Sequence, residues 1–206
     1  MKKTLALISN LLIVVLEVIS FIILINRNGG VTVGIVYFYT RLSNLLALIA
    51  GIFVLIVIIK NKSGELPKWL SMLRYIVTIM LFVTFLISIF VLTPAVGSFY
   101  KMMVENQLKF HHLLCPLISI ISFIFFEKGG VLTTKDNVLA LIPTLVYGIV
   151  MLLLNGARVV DGPYPFLRVH NQPVWATILW FVGIFLGAFL LGLVLRLLRK
   201  AANRNA

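Results

Sequence analysis

The hydrophobic positions of this chain form six long runs, separated by short polar or charged segments. The runs cover approximately 4–26, 33–59, 69–97, 107–126, 138–158 and 174–198. Each is long enough for a helix to cross a bilayer, which takes about 20 residues. The runs do not alternate apolar and polar residues, as membrane-spanning strands would. The pattern predicts an all-α polytopic membrane protein, a six-helix bundle forming one transmembrane domain over 1–206.

The first run raises the question of a cleaved signal peptide. Its apolar stretch exceeds the usual length of such a peptide, and no small-x-small cleavage site follows it. We therefore expect this run to be the first transmembrane span.

The composition supports membrane insertion, since 61% of the residues are hydrophobic and only 12% are charged. The mean hydropathy of +1.11 agrees. Soluble chains are roughly half apolar and about one quarter charged, so a soluble enzyme or a disordered tail is excluded. The single cysteine, Cys115, permits no internal disulfide.

The formal net charge of +12 lies in the loops and at the termini. The segments on the side of the amino terminus carry eleven basic residues: Lys2, Lys3, Lys60, Lys62, Lys68, Lys128, Lys135, Arg196, Arg199, Lys200 and Arg204. The opposite side carries at most five: Arg27, Lys101, Lys109, Arg158 and Arg168. The positive-inside rule thus predicts a cell-membrane protein with both termini cytoplasmic. No basic soluble segment is present, so we expect no nucleic-acid partner.

Polar side chains within the apolar runs are the best functional candidates, because polar groups are costly in hydrocarbon. They are Glu17, Thr40, Arg41, Asn44, Arg74, His111, His112, Asn155 and Arg158. In the predicted topology all except Arg74 lie near mid-depth or in the outward half. Thr40 is expected about seven residues, or about 10 Å, below the start of the second span. This shared depth predicts a polar cavity that opens outward.

Helical spacing places these candidates in two stripes. One contains Tyr37, Thr40 or Arg41, and Asn44; the other contains Tyr147, Met151, Asn155 and Arg158. Structural interpretations stay open for several of them. Asn44 and Asn155 can join helices through their amides, and Glu17 with Arg41 can form a buried ion pair. Gly183 and Gly187 are typical of close helix packing.

The adjacent histidines His111 and His112 suggest acid–base chemistry near neutral pH. Neighbouring helical side chains point about 100° apart, so we expect one histidine to face the bundle interior. Three histidines without suitably spaced Cys or carboxylate ligands make a poor metal site, and we expect neither metal nor cofactor. A hydroxyl nucleophile with a histidine base, Thr40 with His112 or His111, is the catalytic pairing that these residues permit.

A loop over 161–170 follows the fifth span and is stiffened by Pro163 and Pro165. Tyr164 and Phe166 in this loop suit the membrane interface. Alternatively, the loop closes an outward cavity as a lid.

Three segments together resemble a known family: Tyr39-Thr40-Arg41-Leu42-Ser43-Asn44-Leu45-Leu46, Phe110-His111-His112 with Cys115-Pro116, and Gly162-Pro163-Tyr164-Pro165-Phe166-Leu167. They are similar to the prokaryotic six-span membrane family, distantly related to the androgen-induced-gene family of membrane hydrolases. The eukaryotic relatives cleave fatty acid esters of hydroxy fatty acids with an intramembrane threonine and a histidine. By resemblance, Thr40 matches that threonine and His112 is the better match for the histidine. Arg41 and the Tyr-Pro-Phe loop suggest a different substrate.

The resemblance implies an intramembrane lipid-ester hydrolase whose partners are membrane lipids and a lipid or fatty-acyl ester substrate. Arg41, Asn44 or Asn155 would then donate hydrogen bonds to the oxyanion. The sequence alone offers no carboxylate clearly placed to orient the histidine. The alternative is a membrane carrier or lipid-binding protein that uses the same polar cavity without covalent chemistry.

Overall fold

A computed structural model describes residues 1–203, so Arg204 from the basic count lies outside the described part of the chain. Within it, six helices are long and apolar enough to cross a membrane. They are α1 (Lys2–Arg27), α2 (Tyr39–Lys60), α3 (Lys68–Val96), α4 (Lys109–Phe126), α5 (Thr134–Gly156) and α6 (Val174–Asn203). The predicted all-α, six-helix membrane fold is confirmed.

The first and last helices meet at one end of the bundle. Lys2 Nζ donates to the Ala202 carbonyl oxygen at 3.0 Å. The two loops at the same end also touch, where Leu66 N donates to the Lys128 carbonyl oxygen at 2.9 Å. We call this end the near end, and the opposite end, with the loops over 28–38, 97–108 and 157–173, the far end.

The second span begins at Tyr39, six residues later than the hydrophobic run predicts. A separate short helix covers Gly34–Tyr37. Phe38 then has extended backbone angles, φ −94° and ψ 128°, which interrupt the helical hydrogen bonds. Thr40 consequently lies in the first turn of α2 rather than seven residues into a span.

The fifth span begins four residues earlier than predicted, because a polar first turn hides its start. Thr133 and Asp136 form a capping box, in which Asp136 N donates to Thr133 Oγ1 at 3.3 Å and Thr133 N donates to Asp136 Oδ2 at 2.6 Å. Such reciprocal bonds satisfy donors that a helix start leaves free.

Two of the spans contain π-helical turns beside prolines. Ser88–Leu92 in α3 lies just before Pro94, and Lys109–Leu114 in α4 lies just before Pro116. Proline lacks the N–H that an α-helix would donate four residues back, so the preceding turns relax into a wider helix. The π-turn of α4 contains both His111 and His112.

Helix α3 lies at the centre of the bundle and α6 at its edge. Half of the most apolar window of α3 is buried, against 17% for α6. Tyr75, Ile79 and Met80 of α3 are fully buried. The outer face of α6 exposes large apolar side chains such as Leu186 and Leu190, as expected for a helix that contacts lipid.

Candidate functional site

A cavity of about 370 Å³ lies at the far end, between α2, α3, α4 and the loop after α5. This volume is within the usual range of small-molecule sites. Its wall includes five of the residues predicted from the sequence: Thr40, Arg41, His111, His112 and Tyr164. The remaining wall is mainly apolar, with Leu92, Ala95, Val96 and Met102 among its members.

The start of α2 brings helical N–H groups to this cavity. Tyr39 N donates to the Tyr147 hydroxyl at 3.1 Å, and Thr40 N donates to the Tyr164 hydroxyl at 3.2 Å. The next N–H group, that of Arg41, has no acceptor within residues 1–203. The amino end of a helix carries partial positive charge. The turn that holds Thr40 can therefore stabilise a negative oxygen.

The Thr40 side chain is buried against Tyr164. Thr40 Oγ1 lies 3.2 Å from the Tyr164 hydroxyl oxygen. Tyr164 is itself 7% exposed, and its ring stacks on Phe166 at 5.2 Å between centroids. Both aromatic residues thus pack into the protein, and the loop covers the cavity rather than anchoring at the surface. Burial raises the pKa of Tyr164, so its hydroxyl stays protonated and able to donate.

His112 is held by the backbone of the loop before α4. Its Nδ1 lies 2.6 Å from the Met102 carbonyl oxygen. A carbonyl oxygen can only accept, so this contact assigns the proton to Nδ1. Nε2, which has no partner within residues 1–203, is then the basic nitrogen. This is the tautomer that a general base needs.

His111 contacts a carboxylate on α1. Its Nε2 lies 3.1 Å from Glu17 Oε2, and the two side chains are at most 2% exposed. The two groups are close, but the contact does not have the geometry of a hydrogen bond. The Phe21 ring packs against His111 at 5.2 Å between centroids.

These contacts correct two expectations. Glu17 pairs with His111 and not with Arg41. Both histidines, rather than one, are buried, with 1% and 3% exposure. His112 is buried because the segment Tyr100–Val104 packs against it, with the Met102 carbonyl oxygen 2.6 Å from His112 Nδ1.

Arg41 bends back over the loop that precedes α2. Its Nη1 donates to the Gly34 carbonyl oxygen at 2.9 Å, and its guanidinium lies 4.4 Å from the centroid of the Phe38 ring. The side chain still lines the cavity. Arg41, which directly follows Thr40 in the sequence, therefore brings a positive charge to the same cavity.

Asn44 joins helices instead of facing the cavity. Its Nδ2 donates to the Thr40 carbonyl oxygen at 2.7 Å and to the His111 carbonyl oxygen at 3.2 Å. Both amide hydrogens are thus engaged, which leaves none for an oxyanion. Asn44 therefore has the interhelical role that the sequence left open.

Asn155 and Arg158 lie away from Thr40. Asn155 Nδ2 donates to the Val160 carbonyl oxygen at 2.9 Å, and its Oδ1 accepts from Val169 N at 2.8 Å. Both residues line another far-end cavity, of about 430 Å³, with Asp161, Arg168 and His170. Arg158 is exposed and adopts a positive φ of 59° after α5 ends. Asn155 organises the loop that carries Tyr164.

Two features of this region were missed from the sequence. Tyr147 was assigned to a stripe, but not as the residue that caps α2. Glu127 directly follows the fourth apolar run and was not among the polar candidates, yet it is fully buried and paired with Arg74. The signal for Glu127 was its position directly after an apolar run, within reach of an arginine on a neighbouring span.

Two absences within residues 1–203 bear on the chemistry of the site. Among residues 1–203, no hydrogen bond joins Thr40 to either histidine, although all three side chains line one cavity. In the same range, no three His, Cys, Asp or Glu side chains are grouped to hold a metal ion.

Comparisons with known protein families, curated proteins and solved structures return no match.

Proposed function

We propose that the protein is a membrane lipid-ester hydrolase with Thr40 as nucleophile and His112 as general base. One observation carries the proposal: the first turn of α2 presents the Thr40 hydroxyl to a cavity that also contains His112. The base is already oriented, since its Nδ1 is engaged by the Met102 carbonyl at 2.6 Å. In the absence of substrate, catalytic hydrogen bonds are often long or unformed.

The proposed reaction has two stages. His112 Nε2 removes the proton of Thr40 Oγ1 as this oxygen attacks the ester carbonyl carbon. The tetrahedral intermediate then breaks its bond to the alcohol oxygen, which leaves with the proton from His112. In the second stage His112 deprotonates a water molecule, and the resulting hydroxide adds to the acyl carbonyl carbon. The bond from this carbon to Thr40 Oγ1 then breaks, and Oγ1 takes the proton back from His112. The products are a carboxylic acid and an alcohol, and the enzyme is regenerated.

The negative oxygen of each intermediate would be held at the start of α2. The free N–H of Arg41, its guanidinium and the neutral Tyr164 hydroxyl are the donors in this region. Donors that are fixed before the reaction stabilise developing charge without reorganisation. Asn44 and Asn155 are not part of this proposal, because both amide hydrogens of Asn44 are engaged and Asn155 lines a different cavity.

The substrate class follows from the cavity wall and the resemblance. Apolar side chains beside the cavity suit an acyl chain, and Arg41 suits a carboxylate or another anionic group. The resemblance of the sequence motifs to those of membrane hydrolases suggests a more specific substrate, an ester of the fatty acid–hydroxy fatty acid type. Turnover of a panel of lipid esters by purified protein would identify the substrate.

A fluorophosphonate probe tests the nucleophile. Thr40→Ala should abolish labelling, because the probe reacts covalently with an activated hydroxyl. Ser43→Ala is the matched control, since Ser43 is also buried but donates to the Thr40 carbonyl oxygen at 2.9 Å. Ser43→Ala should retain labelling. Equal labelling of Thr40→Ala and the parent protein would refute the threonine nucleophile.

A lipid carrier is the second candidate, favoured by the lack of a Thr40–histidine hydrogen bond within residues 1–203. A carrier would bind the same lipid esters in proteoliposomes without product formation. It would also give no fluorophosphonate adduct in detergent or in lipid. Binding without turnover by both the parent protein and Thr40→Ala would replace the hydrolase proposal with the carrier.

We further propose that the cavity opens outward from the cell membrane, with both termini cytoplasmic. The support is the excess of basic residues at the near end. In intact cells, an impermeant maleimide should react with Asn28→Cys at the far end but not with Ser63→Cys at the near end. The background variant would be Cys115→Ser, which removes the natural thiol. The reverse reactivity would invert the topology.

A further inference from the structure

A second, apolar cavity lies directly behind Thr40. It runs between α2, α3, α5 and α6, encloses about 70 Å³, and is lined almost entirely by apolar atoms. Thr40, Leu92 and Tyr164 belong to the walls of both cavities. The Thr40 hydroxyl therefore stands at the boundary between a polar and an apolar compartment.

The apolar cavity adjoins a groove on the side of the bundle. This groove has a volume of about 550 Å³ and lies between α3 and α6. Val83, Ile87, Trp180 and Ile184 line both the groove and the enclosed cavity. Leu179 in the groove is 63% exposed, so the groove opens to the surroundings of the bundle.

The glycines of α6 explain why the groove exists. At Gly192 the two helices are in close contact, because an added Cβ would lie 3.0 Å from Ile79 Cδ1. At Gly183 and Gly187 an added Cβ would meet no atom within 4 Å. The expected role of this Gly-x-x-x-Gly pair in close packing is therefore wrong within the described chain. The two glycines instead line an open space between diverging helices.

We infer that the groove and the cavity behind it bind a single acyl chain that enters sideways from the bilayer. The chain would run from the groove, past Ile87 and Trp180, to place its polar end at Thr40. The groove holds the outer part of the chain, and the narrow cavity admits only an unbranched segment. This inference rests on the proposed function in placing the ester at Thr40, but chain binding itself requires no catalysis.

The chemistry of the walls selects this ligand. Apart from indole N–H groups, the side chains lining the groove are hydrocarbon or absent. A lipid tail is the apolar ligand that surrounds every face of such a bundle. The groove shares four wall residues with the cavity behind Thr40, which favours a chain over a second copy of the protein, because only a chain is thin enough to occupy both spaces.

The test uses the full chain in phosphatidylcholine vesicles with a sixteen-carbon fatty acid carrying a diazirine. Photolysis should label peptides from the groove, including Ile184 on α6. The double variant Gly183→Leu and Gly187→Leu fills the groove and should reduce this labelling at least about tenfold. Losing burial of about two methylene groups is enough for such a loss. Leucine is a better helix former than glycine, so this variant should fold.

Gly156→Leu is the matched control, because its added Cβ also meets no atom within 4 Å but lies at the end of α5. It should be labelled as strongly as the parent protein. Equal labelling of all three proteins, or labelling confined to peptides outside the groove, would overturn the inference. Loss of a dimer in the double variant with undiminished photolabelling would assign the groove to a second copy instead.

Hydrolysis measurements separate this inference from the proposed function. If both hold, the double variant should lose turnover of long-chain esters at least about tenfold. It should still cleave p-nitrophenyl acetate, which has no long chain, while Thr40→Ala should cleave neither ester. Groove labelling without any ester cleavage in the parent protein would reject the hydrolase and leave the acyl-chain site standing.

Discussion

Two fully buried carboxylates at opposite ends of the bundle show how differently this protein treats polar groups. Glu127 at the near end and Glu17 near the far-end cavity are each 0% exposed. Glu127 accepts hydrogen bonds from Arg74, Ser122 and Asn10, with Arg74 Nη2 at 2.8 Å from Oε1. Glu17 Oε2 lies 3.1 Å from His111 Nε2, and neither of the Glu17 oxygens has an aligned donor within residues 1–203.

The Glu127 cluster has the properties of a structural network. It joins α1 and α3 to the end of α4, and Arg199 of α6 donates to the Glu127 carbonyl oxygen at 3.3 Å. Burial by itself would raise the pKa of Glu127, but the charge and hydrogen bonds of Arg74 outweigh it and lower that pKa. Glu127 therefore stays ionised, and its bonds hold four helices together.

The Glu17 carboxylate is less completely hydrogen-bonded than that of Glu127, and its neighbour His111 borders the cavity beside Thr40. His112 Nε2 and the Arg41 N–H have no partner within residues 1–203, and both residues line the space beside Thr40. Buried polar groups are normally hydrogen-bonded, and the described chain holds exceptions at both ends, including Arg74 Nη1 beside Glu127 and His111 Nε2 beside Glu17. The two ends differ in what these groups face: the Glu127 cluster joins helices, whereas His111 lines the cavity beside Thr40, which agrees with the function proposed for that cavity.

The largest expected effect is the loss of Arg74. Arg74→Met leaves Glu127 as a buried charge without its cation and should destabilise the protein by about 3–5 kcal/mol. Thermal unfolding in detergent would measure this. Lys68→Met is the matched control, since its pair with Asp136 at 2.7 Å is half exposed, and exposed pairs contribute about 0–1 kcal/mol. Equal melting temperatures of the two variants would contradict the structural role of the near end.

The second effect falls on activity and distinguishes the two histidines. His112→Ala should reduce ester hydrolysis by about 10²–10⁴, the usual contribution of a general base, with little change in thermal stability. His111→Ala should retain a substantial fraction of the activity, because His111 Nε2 is directed to Glu17. If His111→Ala were the inactive variant, Glu17 and His111 would take the place of His112 in the mechanism. Full activity in both would exclude a histidine base.

The third prediction compares the carboxylates directly. Glu17→Gln keeps the shape of the side chain but replaces the carboxyl group with an amide, and should destabilise the protein by about 1–3 kcal/mol. Glu127→Gln should cost more, about 3–5 kcal/mol, because Arg74 then remains buried with a neutral partner. Chemical denaturation of the two variants under the same conditions would rank them. The opposite order would reverse the division of roles between the two ends.

The sequence predicted the helices well and the site only in outline. Hydrophobic runs define spans because the bilayer demands about 20 apolar residues for each helix. The runs do not show where a helix begins within an apolar stretch, and the start of α2 at Tyr39 depends on hydroxyls from Tyr147 and Tyr164. This capping depends on tertiary contacts, which a hydrophobic pattern does not reveal.

The same limitation explains the histidines and the asparagines. Regular α-helical spacing gave the correct face for Thr40, but the π-helical turn of α4 changes the directions of His111 and His112. Depth along a span brought Asn155 to the level of Thr40 without telling which side of the bundle it occupies. Depth and spacing thus placed Thr40 and the histidines at one end of the bundle, where they line one cavity, while their contacts depend on how the helices pack.

The smallest effect should come from the Tyr164 hydroxyl. Tyr164→Phe removes the group that accepts from Thr40 N and contacts Thr40 Oγ1, both at 3.2 Å. One hydrogen bond contributes about 0.5–1.5 kcal/mol, so kcat/KM should fall by about tenfold. Because burial raises the pKa of Tyr164 above its ordinary value of 10.0, ionisation of this group should not limit the parent activity below pH 10.

Tyr147→Phe is the control for this last change, because it removes a hydroxyl from the same helix start without touching Thr40. The Tyr147 hydroxyl accepts from Tyr39 N at 3.1 Å and donates to the Tyr37 carbonyl oxygen at 2.9 Å. Its loss should lower thermal stability about as much as the loss of the Tyr164 hydroxyl. Activity should change by less than about twofold, since one bond away from the reacting atoms contributes to folding rather than to the transition state. Equal losses of kcat/KM in both variants would mean that these tyrosines act only by holding α2 in place.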